Sequence, residues 1–182
     1  MEYSETSLPG VWLCTPRVFN DPRGYFLESF SLRDFRNATS QPDITFVQDN
    51  ESSSTYGVIR GLHFQRAPHA QAKLVRVTSG RILDVAVDIR PGSPTFGRHI
   101  AVELSADNHR QLFLPAGMAH GFATLSPQAT LQYKCSNYYA PESEDGIAYN
   151  DPALAIDWQI PAADVILSDK DARRLPLEQL QL

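Results

Sequence analysis

The sequence predicts an all-β chain, a jelly roll or barrel, on three observations. Ten short segments between residues 11 and 139 are rich in aliphatic, β-branched and aromatic residues, and glycine, proline or polar residues punctuate nearly all of them. One of them, RILDVAVDI, alternates: Leu83, Val85, Val87 and Ile89 fall on one face, and Asp84, Ala86 and Asp88 on the other. The helical stretches of about 10–15 residues that a βαβ fold interleaves with its strands are missing.

Taken in order, VWLCTPRVF (11–19), GYFLESF (24–30) and ITFVQD (44–49) read as the first strands. Between the second and third, SLRDFRNA (31–38) opens with Ser31 as an N-cap and is long enough for two helical turns. YGVIRGLHF (56–64) follows, then KLVRVTSG (73–80), whose Ser79-Gly80 turn predicts a hairpin to RILDVAVDI. GRHIAVEL (97–104), RQLFLP (110–115), HGFATL (120–125) and ATLQYKCSNYY (129–139) complete the strands. From Asp151 onward only short turns or helices are expected. No repeat, low-complexity linker or charge block divides the chain, so residues 1–182 are expected to form one domain.

Composition narrows the function. With 42% hydrophobic and 20% charged residues the chain is too apolar for disorder, and no run approaches the roughly 20 apolar residues of a membrane span. MEYSETSLPG lacks the basic cluster and apolar stretch of a signal peptide, which points to the cytoplasm. A net charge of −5 argues against nucleic acid as a partner, although a few local arginines suffice for a small anion. Cys14 and Cys135 can form one bridge at most and read as half-buried structural thiols.

The densest chemistry is in residues 56–65. Strict alternation would point Ile59, Gly61, His63 and Gln65 one way, and Val58, Arg60, Leu62 and Phe64 the other. His63 is either a general base held by a carboxylate or a hydrogen-bonded core histidine. Lys73 shares a face with Val75 and Val77, and an inward lysine needs an anionic partner or a developing negative charge. His120 follows the Pro115–Gly117 turn, and Tyr133 shares a face with Leu131 and Cys135; both have a plain packing alternative. Arg23 in DPRG and Arg60 are candidate anion contacts or ordinary surface ion-pair partners.

A metal site is not expected. The histidines are His63, His69, His99, His109 and His120. PAGMAH fits the second half of the HxH…PxGxxH pattern common in metal-binding jelly rolls, but HFQ places Gln65 where its second histidine belongs. Half a ligand set holds zinc or iron poorly. Phosphate-binding loops, GxSxG elbows and CxxC pairs are also missing.

Seven motifs in order, DPRGYFLESF, FVQDN, GVIRGLHFQ, AKLVRVTSGRILDVAVDIRPGSPTFG, LFLPAGMAHGF, YKCSNYYAPESEDGI and LSDKD, resemble the dTDP-4-dehydrorhamnose 3,5-epimerases over residues 8 to 178. The resemblance implies a cupin-type jelly roll with short peripheral helices, metal-free and cofactor-free. It implies a dTDP-4-keto-6-deoxy sugar as substrate and a homodimer that exchanges an N-terminal strand around residues 11–18. By the same resemblance His63 is the base, Asp171 its orienting carboxylate rather than the neighbouring Asp169, Tyr133 the opposing acid and Lys73 the cation at the reacting centre. Substrate contacts map onto Arg23, Glu28, Gln48, Asn50, Arg60, Lys73, His120, Glu144 and Lys170. Tyr139, with Tyr138 as the second choice, matches the aromatic that stacks on thymine. Related readings are an epimerase acting at C3 or C5 alone, a keto-isomerase, and a non-catalytic nucleotide-sugar-binding cupin.

Overall fold

In the computed structural model, which describes residues 1–181, the expected strand Val11 to Phe19 is two strands. Pro16 can supply no amide hydrogen to a ladder, and the strand is interrupted there. β1 (Glu2–Glu5), which the sequence reading did not anticipate, pairs with β2 (Trp12–Thr15). β3 (Val18–Asp21) and β4 (Gly24–Leu27) form a separate hairpin closed by the Pro22-Arg23 turn. Helix α1 (Leu32–Thr39) starts where Ser31 Oγ accepts the Asp34 amide and ends at Ser40 in the left-handed region.

β5 (Gln48–Thr55) lies downstream of the apolar segment expected to form it. Ile44 and Phe46 instead pack beside Phe35 of α1, and the strand itself is the wholly polar QDNESSST. Hydrophobic periodicity could not reveal it, because its inward side chains face a polar cavity rather than the core.

β6 (Ile59–Gln65), β7 (Lys73–Ser79), β8 (Arg81–Asp88), β9 (His99–Ser105), β10 (Gln111–Leu114), β11 (Met118–Thr124) and β12 (Gln128–Cys135) follow. β13 (Glu144–Gly146) is a short strand not anticipated from sequence. The tail adds single 3-10 turns at Ala162–Asp164, Asp171–Arg173 and Leu177–Gln179.

These strands build two facing sheets, in the orders β1-β2-β10-β7-β12-β5 and β13-β6-β11-β8-β9. The turn after β7 does not make the expected hairpin. β7 pairs with β10 and β12, whereas β8 pairs with β9 and β11 in the other sheet. Gly80, at φ +73°, turns the chain across the edge of the sandwich, where a Cβ would fall 2.0 Å from the Gln128 carbonyl oxygen. That crossover is the jelly-roll feature of the chain.

Three apolar clusters give the fold its layers. Val75, Val77, Ile82, Leu104, Leu112 and Leu131 fill the space between the sheets. Leu83, Val85 and Val87 point out of the five-stranded sheet and are covered by Leu154, Trp158 and Leu177 of the tail. Phe35 covers the outside of the other sheet with Leu74 and Phe113, and its complete burial contributes about 2–3 kcal/mol. β8 is therefore buried on both faces, unlike the half-buried strand that its alternation suggests. Cys14 and Cys135 are buried and unbridged. Among the described residues no helix is long and apolar enough to cross a membrane.

Candidate active site

The cleft between the sheets, at the end holding β5, β6, β12 and β13, opens into two chambers of about 290 and 450 Å³. His63, Lys73 and Tyr133 line both. His63 comes from β6 in one sheet, and Lys73 and Tyr133 come from β7 and β12 in the other. The histidine therefore faces the lysine and tyrosine across the gap.

Simple alternation fails in β6, where Arg60 and His63 border the same chamber despite opposite parity. His120 pairs with His63 but Phe122 pairs with Arg60, so β6 has one residue more than β11 between these pairs. This bulge re-aims the strand so that Arg60 faces the cleft beside His63. Gly61 makes it possible: at φ +119° its Cα side lies against β11, where a Cβ would sit 2.5 Å from the Gly121 Cα.

His63 Nε2 bonds to Asp171 Oδ1 at 2.5 Å. The tail brings this carboxylate 108 residues forward in sequence. Ile166 exchanges main-chain hydrogen bonds with Gly57 and Ile59 at the start of β6, and Ser168 Oγ accepts the Asp171 amide. Burial works against ionisation of Asp171, but its bonds to His63, Ser168 and the Gly61 amide outweigh it and hold the carboxyl below its ordinary range. Asp169 is exposed and binds Arg173 through its carbonyl oxygen.

Lys73 Nζ lies 5.9 Å from the centroid of the Tyr133 ring. Burial pushes the lysine below its ordinary value, opposed by Cys135, Asp84 and Glu144. Burial and Cys135 push the Tyr133 phenol up, against Arg60 and Asn50. The site thus contains an easily neutralised ammonium beside a phenol that holds its proton.

Gln48, Asn50, Tyr139 and Glu144 line the smaller chamber, and Arg60, His120 and Lys170 the larger. Gln48 Nε2 donates to Asn50 Oδ1 at 2.9 Å, and Arg60 Nε donates to Ser54 Oγ at 3.0 Å. Glu144 Oε2 accepts from the Tyr139 hydroxyl and the Lys170 ammonium, both at 2.6 Å. Burial opposes its charge, but those two bonds win and lower its pKa. Tyr138 does not line either chamber.

Arg23 and Glu28 stand apart from the rest. Neither borders the chambers; Arg23 is at the tip of the β3–β4 hairpin, paired to Asp21, with 90% of its side chain exposed. Asp84 is a site residue that sequence reasoning missed: fully buried, it bonds His120 Nε2 at 2.7 Å. Its signal was a carboxylate in the middle of a strand of alternating apolar residues. Among the described residues no group of three or more His, Cys, Asp or Glu side chains could hold a metal ion.

Comparison with known proteins agrees with the fold. The family model for dTDP-4-dehydrorhamnose 3,5-epimerase matches residues 5–179. The protein of that name from Escherichia coli (strain K12) is 51% identical over 180 residues, 99% of this chain and 96% of that one. The crystal structure of the Elizabethkingia anophelis NUHP1 dTDP-4-dehydrorhamnose 3,5-epimerase superposes with a TM-score of 0.94 at 48% identity, covering 98% and 97% of the two chains. That of the Legionella pneumophila Philadelphia 1 dTDP-6-deoxy-D-glucose-3,5-epimerase, in complex with dTDP-4-keto-L-rhamnose, gives 0.95 at 46% identity, covering 99% and 94%. With motifs and cupin-type jelly roll in agreement along its length, the chain belongs to the dTDP-4-dehydrorhamnose 3,5-epimerase family.

Proposed function

We propose that the chain inverts C3 and C5 of dTDP-4-dehydro-6-deoxy-D-glucose to give dTDP-4-dehydro-L-rhamnose. Both C–H bonds flank the C4 ketone, so loss of either proton gives an enolate that can be reprotonated on its other face. Inversion needs a base on one face and an acid on the other. The observation that carries this reading is the position of His63 and Tyr133 on opposite sheets, across a cleft that both border.

In this reading Asp171 accepts the Nε2–H of His63, which leaves Nδ1 as the proton acceptor, and it stabilises the imidazolium that forms. Tyr133 supplies the proton from the far side. Lys73 meets the negative charge growing on the C4 oxygen. Each carbon loses and regains a proton with no net electron transfer, so the chemistry requires no redox cofactor. Arg60 contacts the diphosphate and Tyr139 stacks on the thymine, while Gln48, Asn50, His120, Glu144 and Lys170 hold the remaining polar groups.

The same reading makes residues 1–182 one cytoplasmic domain that works as a homodimer. Within one chain β1 and β10 pair with both edges of β2, so in this reading the exchange is drawn from the elements beside it. Near the N-terminus the outer edge of β1 and the β3–β4 hairpin are open, with Phe19, Tyr25 and Phe26 exposed. For Arg23 and Glu28 to touch substrate, a second copy must carry its hairpin to this cleft.

The test is proton NMR in deuterated buffer, following deuterium incorporation and inversion at C3 and C5 in one sample. His63→Ala should lose exchange and inversion together, by about 10²–10⁴-fold. Tyr133→Phe should still exchange protons through His63 but invert slowly. Normal exchange in His63→Ala, or a wild-type ratio of inversion to exchange in Tyr133→Phe, would overturn the assignment. Exchange at one carbon only in the wild type would identify a mono-epimerase.

A further inference from the structure

Gln65, which stands where a metal-binding HxH pair would carry its second histidine, has no part in the proton chemistry. It ends β6 with 8% of its surface exposed, and its carboxamide is fully engaged. Nε2 donates to the carbonyl oxygens of His69 at 2.6 Å and Tyr138 at 3.1 Å, and Oε1 accepts the Ala140 amide at 2.9 Å. Two donors and one acceptor meet two carbonyls and one N–H. Turned over, the amide would set its NH₂ against an N–H and its oxygen against two carbonyls. A neutral imidazole offers one donor and a carboxylate none, so neither side chain replaces it.

Two of the three groups that Gln65 holds, the Tyr138 carbonyl and the Ala140 amide, lie on either side of Tyr139. Between them, the Tyr139 amide donates to Gln48 Oε1 at 3.0 Å and its hydroxyl to Glu144 Oε2 at 2.6 Å. Gln48 belongs to one sheet, while Gln65 and its cross-strand partner Glu144 belong to the other. The segment around Tyr139 is thus tied to both walls of the cleft. One of its anchors lies two residues from His63 on the same strand.

We infer that Gln65 is a positioning residue for nucleotide recognition: by clamping the main chain on both sides of Tyr139, it fixes the distance between the base-stacking ring and His63. The proposal rests on the reading of Tyr139 as the thymine contact. Gln65 itself does not touch the reacting atoms.

The experiment measures kcat, KM and dTDP affinity for the wild type, Gln65→Met, Tyr139→Ala and the double variant. Gln65→Met should raise KM and weaken dTDP binding about tenfold while kcat changes by less than about twofold. On top of Tyr139→Ala, it should cost no further affinity. If Gln65→Met does not fold, Gln65→Glu, which keeps the length and an acceptor, must give the same split. A residue that only supports the fold would lower kcat and melting temperature together and add its full effect to Tyr139→Ala, which would overturn the proposal. If Tyr139→Ala weakens dTDP but the Gln65 variants do not, the stacking reading stands and the proposal alone falls. If Tyr139→Ala leaves dTDP affinity unchanged, the stacking reading falls and takes the proposal with it.

Discussion

Lys73 combines two demands that pull its proton in opposite directions. The enolate needs an ammonium, whereas burial in the cleft favours the neutral amine. The lysine therefore loses its proton at lower pH than an exposed one, whose value is about 10.4. Tyr133 is shifted in the other direction, upward, so burial favours its protonated, acid form. The alkaline limb of the kcat profile is accordingly expected below the ordinary lysine range and to belong to Lys73. Lys73→Arg, whose guanidinium keeps its proton, should be slower but should move that limb upward. Stopped-time assays from neutral to alkaline pH decide the matter, and an unmoved limb in Lys73→Arg would assign it to another group. Lys73→Met should cost about 10²–10³-fold in kcat, the usual loss for one group stabilising an oxyanion.

At the scale of the element, β6 is where regular structure gives way to the site. One extra residue opposite β11 places Arg60 and His63 side by side, and Gly61 lies against Gly121 with no room for a methyl group. Gly61→Ala is expected to destabilise the chain by about 1–3 kcal/mol through its backbone conformation alone, before the clash is counted. Activity should fall beyond what the lost stability explains, because the re-aimed histidine would be displaced from its partner across the cleft. Denaturant melts combined with kcat on the folded fraction separate the two effects. Full activity per folded molecule would show that the bulge does not set the catalytic geometry. β5 makes the complementary point: its polar residues form a strand because the main chain of β12 pairs with them and a polar cleft accepts their side chains, not because any apolar face drives them.

At the scale of the whole molecule, the sandwich protects its core with the tail on one side and α1 on the other, yet leaves the β3–β4 hairpin uncovered. Three exposed aromatics on four-residue strands are a poor surface for a monomer in water and a suitable one for a second copy. Sedimentation equilibrium at micromolar concentration should therefore give twice the chain mass. Phe26→Ser, at the most exposed of these rings, should weaken self-association and raise KM, since it disturbs the arm carrying Arg23 and Glu28. A monomer mass for the wild type would remove the homodimer from the proposed function, and with it any contact of those two residues with substrate.

The sequence by itself determined the all-β class, the helix behind Ser31, most strand positions and, through seven ordered motifs, the family. Those features are local, written in alternation, turn residues and caps, so a single pass along the chain reads them. It also made His63, Tyr133 and Lys73 chemically eligible without showing that they meet. Only the tertiary structure decided that Ser79-Gly80 crosses between sheets and that a bulge joins Arg60 to His63, and it supplied the geometry of the His63–Asp171 pair that the motifs had implied. Only it showed Asp84 behind His120, Gln65 as a three-point clamp, and Arg23 and Glu28 away from the cleft of their own chain. These features depend on hydrogen bonds between residues far apart in the chain and on register shifts of one residue. Neither leaves a periodic trace in composition, because the partner that satisfies a buried polar group is chosen by where the sheets bring the backbone together.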